Sequence, residues 1–133
     1  MTENIDWSTV VTYWLEEAGN DLKVAGDLFD KEDYSYSLFF GHLALEKLLK
    51  AYYVKKLERH APLIHNLERL AESSGLELSE ERKDSLIKIS SFNIEARYPD
   101  IKKSFRAGCT KEFTQRELDE IKEVYQWLKS MME

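Results

Sequence analysis

Three observations predict an all-α chain. Only two prolines and five glycines interrupt 133 residues. Apolar residues recur every three or four positions along most of the length, the period of an amphipathic helix, and no stretch carries a credible strand pattern. The run from Phe39 to Ala51 is apolar on nearly every side, as a helix buried by its neighbours must be. The expected architecture is an antiparallel up-and-down helical bundle of four long helices plus one short helix, in one domain spanning residues 1–133.

The first helix is expected from about Trp7 to Lys31. Trp14, Ala18, Leu22, Ala25 and Phe29 form its stripe, and Asp6 or Ser8 can cap its start. The polar cluster from Asp30 to Asp33 breaks the stripe, and Asp33 can cap the next helix. That second helix runs from about Tyr34 to Arg59. Apolar residues surround it, so it should be the central, most buried element, and Pro62 ends it. A short third helix covers about Asn66 to Ser73, with Leu67 and Leu70 inward and Gly75 closing it. The fourth is expected from Ser79 to Ala96, capped by Ser79 and stopped at Arg97-Tyr98-Pro99. A loop from Asp100 to Phe113 should follow. The last helix should open with Thr114-Gln115-Arg116-Glu117, which fits a capping box, and continue to the C-terminus.

Hydrophobic residues at 43% beside charged residues at 33% exclude a disordered chain. No run of 18 apolar residues exists to span a membrane, and Met1-Thr2-Glu3-Asn4 lacks the basic start and apolar core of a signal peptide. The lone Cys109 has no internal disulfide partner. The expectation is a soluble cytoplasmic protein with no membrane contact.

Net charge is −6, which argues against broad, non-specific nucleic-acid binding. The balance is uneven, however. The stretch Glu46 to His60 carries +3, the stretch Arg97 to Lys111 carries +4, and the remainder carries −13. If the two basic segments meet, they form a local anion site on an acidic body. The plainer alternative is solvated helix faces and a polar loop.

Metal and cofactor motifs are absent: one cysteine and three scattered histidines make no ligand cluster, and no Gly-rich phosphate loop exists. No cofactor is expected. Cys109 sits in a basic segment but has no base beside it in the sequence, which leaves it a poor nucleophile candidate.

His42, Glu46 and Lys50 are spaced four apart and stack on one side of a helix. Their charges need partners on an otherwise apolar element. Glu46 and Lys50 can be a structural i,i+4 pair, or the polar seam can line a pocket. Next, Arg59 and His65 flank the proline turn at Pro62. A histidine near neutral pKa can remove a proton from a ribose 2′-hydroxyl, and an arginine can hold charge on the attacked phosphate. Alternatively, His65 and Asn66 merely cap the third helix, and Arg59 is a solvated helix end. Finally, Arg97 beside Tyr98 can grip a phosphate while the ring stacks on a base, or can pair locally with Asp100.

Taken together these residues resemble the HEPN family (higher-eukaryote and prokaryote nucleotide-binding). Ala18, Asp21 and Ala25 match the small residues around an aspartate in the family's first helix. Tyr34, Phe40 and Ala44 precede Glu46-Lys47-Leu48-Leu49-Lys50-Ala51, and then come Pro62, His65-Asn66-Leu67, Leu70 and Ala96-Arg97-Tyr98-Pro99. The match spans about residues 10 to 130. The resemblance implies an α-helical bundle that dimerises and takes nucleotide or RNA as ligand. It implies a minimal nucleotidyltransferase as partner, in toxin–antitoxin fashion. Active members cut RNA without metal, using an arginine and a histidine with four to six residues between them; Arg59 and His65 have five between them. Arg59 and His65 are therefore the candidate catalytic residues. Asp21, Glu46, Lys47, Lys50, Arg97 and Tyr98 are the candidate nucleotide- or phosphate-binding residues. The alternative is a non-catalytic dimeric interaction module whose polar seam is a structural ion-pair network.

Overall fold

The computed structural model describes residues 4–94 and 98–133. Among them are six helices and no strand: α1 (Trp7–Asp30), α2 (Tyr34–Leu57), α3 (Leu67–Ser73), α4 (Glu80–Ser90), α5 (Pro99–Gly108) and α6 (Lys111–Ser130). The all-helical class agrees with expectation, but the count of four long helices and one short one does not. α1 and α2 have 24 residues each and α6 has 20, whereas α4 has 11 and α5 has 10.

Side-chain pairings give the directions. The Ser37 hydroxyl donates to the Ala25 carbonyl, Lys47 meets Asp21, and Lys50 lies over the Trp14 ring. Numbers rise on α2 as they fall on α1, so the two are antiparallel. Arg82 pairs with Glu123 and Lys88 with Glu117, which makes α4 antiparallel to α6. Gly41 faces Ile121, and Lys55 donates to the Met132 carbonyl, so α2 and α6 run parallel. The four principal helices thus alternate in direction along the chain, as an up-and-down bundle requires.

α2 is the central element, as its all-round apolar sequence predicts. Leu38, Leu45, Leu48, Leu49 and Val54 are fully buried on it. Small residues let its neighbours close in: Ala18 and Ala25 of α1 are fully buried, and a Cβ at Gly41 would meet Ile121 Cδ1 at 2.8 Å.

Three boundaries are corrected. α2 ends at Leu57 rather than Arg59, because Glu58 turns left-handed at φ 49°. α4 ends at Ser90 rather than Ala96: the Ser90 hydroxyl is engaged with the Leu67 N–H, and the Ser91 hydroxyl turns back to the Lys88 carbonyl. Residues 95–97 lie outside the described residues. The expected loop from Asp100 to Phe113 is mostly α5, and α6 starts at Lys111. Pro99 opens α5 at its first turn, where its missing N–H costs nothing. Thr110, not Thr114, caps α6 by accepting from the Phe113 N–H. Thr114 is fully buried inside the first turn, and Glu117 is committed to Lys88. Asp6, Asn66 and Ser79 each cap by accepting a backbone N–H, whereas Asp33 holds the N-cap position of α2 without a side-chain capping bond.

Candidate functional site

α2 presents its polar seam toward α1 on one side and toward the segment joining α2 to α3 on the other. Glu46, 4% exposed, sits between. Its Oε2 accepts from Lys50 Nζ at 3.1 Å, and its Oε1 accepts from His65 Nδ1 at 3.1 Å. Both oxygens of a buried carboxylate are thereby used, one by a cation on the next turn and one by a residue arriving from the connecting segment.

His42 is fully buried one turn before Glu46, with Phe39 stacked on its ring. Its Nε2 lies 3.2 Å from the His65 carbonyl oxygen. A carbonyl only accepts, so Nε2 carries the proton and donates. Nδ1 is buried without a partner, and burial holds the ring's pKa below the ordinary histidine value. His42 is therefore neutral, and it anchors the backbone at His65.

His65 is held at two points, its carbonyl by His42 and its Nδ1 by Glu46. Its side chain is still 64% exposed. In the neutral ring the Nδ1 proton goes to the carboxylate and the lone pair sits on Nε2. A carboxylate that orients an imidazole in this tautomer is the arrangement that prepares a histidine to accept a proton.

Lys47 and Lys50 are not free cations. Lys47 Nζ lies 2.7 Å from Asp21 Oδ2 across the α1–α2 interface, an ion pair outside hydrogen-bond alignment. Lys50 is 7% exposed, paired with Glu46, and capped by Trp14 at 5.2 Å from the ring centroid. Asp21, Glu46, Lys47 and Lys50 thus form two neutral pairs.

Arg59 is exposed just past the end of α2 and has no ion-pair partner among the described residues. Leu57, the last residue of α2, lies about 17 Å along the axis from Glu46 at 1.5 Å per residue. His65 is bound at Glu46, and no hydrogen bond or ion pair joins it to Arg59 among the described residues. Tyr98 stands at the N-cap of α5, 77% exposed. Arg97 lies outside the described residues. Cys109 is buried, which pushes its thiol up to about 11 and removes its nucleophilic form at neutral pH.

Sequence reasoning missed Trp14 as the lid over Lys50, although Trp14, Asp21 and Ala25 share one face of α1 by spacing. It also missed the bond from His42 to the His65 carbonyl, which no local pattern encodes. A cavity of about 350 Å³ lies elsewhere, lined by Asp33, Tyr34, Ser35, Tyr36, Arg106 and Cys109, and no seam residue borders it.

The site on this bundle is an exposed histidine after a proline turn, held by a buried glutamate. The family model for the HEPN domain matches residues 11–131, and the chain belongs to that family, whose function is nucleotide- and RNA-related. The crystal structure of TT1696 from Thermus thermophilus shares the fold at a TM-score of 0.74. It is 19% identical, over 90% of this chain and 96% of that one. No curated protein sequence matches the chain.

Proposed function

We propose that this protein is a HEPN-type RNA-binding protein that cleaves RNA without metal, with His65 as the proton acceptor. The observation that carries the reading is the Glu46–His65 bond, which orients an exposed imidazole with its Nδ1 toward the carboxylate. In the step proposed, Nε2 takes the proton of a ribose 2′-hydroxyl. The 2′-oxygen attacks phosphorus, the bond to the 5′-oxygen breaks, and that oxygen takes a proton from water. The products are a 2′,3′-cyclic phosphate and a 5′-hydroxyl. Asp21, Glu46, Lys47 and Lys50 serve as support in this reading, because their charges cancel in pairs. The RNA contacts in this reading are His65 and Tyr98, with Arg97 a candidate from its sequence position alone. Arg59 takes part only when a second protomer supplies it, so the active form is a homodimer over a single helical domain. A minimal nucleotidyltransferase is the protein partner.

The test is cleavage of single-stranded RNA in the presence of EDTA. Wild type is expected to cut, and His65→Ala to lose at least about 100-fold, the scale of a general base. Equal cleavage by the variant would remove His65 from the reaction. A second reading, a non-catalytic module that docks to the nucleotidyltransferase, is favoured by the lack of any bond between Arg59 and His65 among the described residues. It predicts a wild type inert on every RNA tried and melting unmoved by any nucleotide.

A further inference from the structure

We infer that α5 is the element that grips the RNA backbone and delivers the strand to His65; the inference rests on the RNA reading above. None of the ten residues of α5 is buried. The helix holds on chiefly through Phe105, whose ring packs on Phe92 at 5.6 Å, and through Arg106, which lies over the Tyr36 ring at 5.5 Å. A segment of this length with so little burial is expensive to order unless a ligand uses it.

Its charge states which ligand. Lys102, Lys103 and Arg106 stand against one carboxylate, Asp100, on a chain of net charge −6. No ion pair engages the three cations among the described residues, while the lysines of the seam and of α4 are paired with carboxylates. Three unneutralised cations within about 6 Å of helix axis suit the closely spaced phosphates of a polyanion. Tyr98, 77% exposed at the head of the helix, offers a ring on which a base can stack. A membrane surface is the weaker match, since Ile101 is the one largely exposed aliphatic side chain on α5.

Position links α5 to His65. Two residues after His65, the Leu67 N–H donates to the Ser90 hydroxyl at 2.8 Å at the end of α4. Two residues after Ser90, Phe92 meets Phe105 of α5. The histidine and the basic helix therefore flank the same end of α4.

The experiment measures binding of a fluorescent, uncleavable 2′-O-methyl 12-mer by anisotropy between 50 and 200 mM NaCl. Lys102→Glu/Lys103→Glu is expected to weaken binding at least tenfold at 50 mM and to flatten the log–log salt slope by about 1.4, the share of two phosphate contacts. Lys122→Glu/Lys129→Glu on α6 makes the same charge change on exposed positions and is expected to stay within twofold of wild type. Circular dichroism melting confirms that both variants fold. Equal affinity in the α5 variant, equal loss in both variants, or a wild type that binds anionic vesicles and not the 12-mer would each overturn the inference. Loss of cleavage in His65→Ala with unchanged binding in the α5 variant overturns the role of α5 alone. Unchanged cleavage in His65→Ala with weakened binding in the α5 variant overturns the catalytic reading alone.

Discussion

His42 is the residue whose environment is most at odds with its chemistry: a titratable ring with no exposure, one nitrogen bonded and the other unpartnered. Folded, its pKa is depressed, first by burial, with the His65 carbonyl and Glu46 opposing and Lys50 and the His65 ring adding to the effect. Unfolded, it titrates at the usual 6.5. Below that value the unfolded chain binds a proton that the folded chain refuses. The stability His42 contributes is therefore present above pH 6.5 and is lost as pH falls toward its folded pKa. The melting temperature is expected to drop between pH 7.5 and 5.5. His42→Gln keeps an N–H for the His65 carbonyl and should flatten that drop. A variant with the wild-type slope would show that His42 is not the proton acceptor on unfolding. Histidine was legible here as a position on a helix face, but its bond to a residue 23 positions away was not.

At the scale of elements, two ion pairs on α2 look alike in sequence and differ in consequence. Glu46 is buried with both oxygens engaged, so Glu46→Gln turns an amide N–H toward Lys50 or toward the His65 N–H. A buried charge then loses its partner, at about 3 kcal/mol. Lys47 is 23% exposed on its side chain, so after Asp21→Asn its ammonium reaches water, and the cost is about 1 kcal/mol or less. Urea unfolding of the two variants is expected to rank them in that order, and the reverse order would mean that the α1–α2 tie outweighs the tie from α2 to the connecting segment. α1 and α3 were readable because each carries a stripe that ends in a cap or breaker, and α2 because it is apolar all round and bounded by Asp33 and Pro62. α5 was not, because it buries nothing, and Pro99 reads as a stop when it is a start. The capping box at Thr114 was a correct pattern at the wrong place: tertiary packing buries Thr114 and gives Glu117 to Lys88.

For the whole molecule, the dimer is the reading with the widest consequence, since in that reading Arg59 and His65 meet only across protomers. Sedimentation at micromolar concentration is expected to give twice the 15.7 kDa chain mass. A monomer under those conditions would leave Arg59 without a role. No helix among the described residues is long and apolar enough to cross a membrane.

The amino-acid pattern alone determined the all-helical class, the central place of α2, most caps and the family. These follow from periodicity, caps and breakers that act within a few residues of one another. Which charges cancel, which nitrogen of His65 meets Glu46 and which cations stay unpaired were decided by tertiary structure. Those outcomes depend on segments far apart in the chain being pressed to within about 3 Å, and local pattern carries no record of that distance.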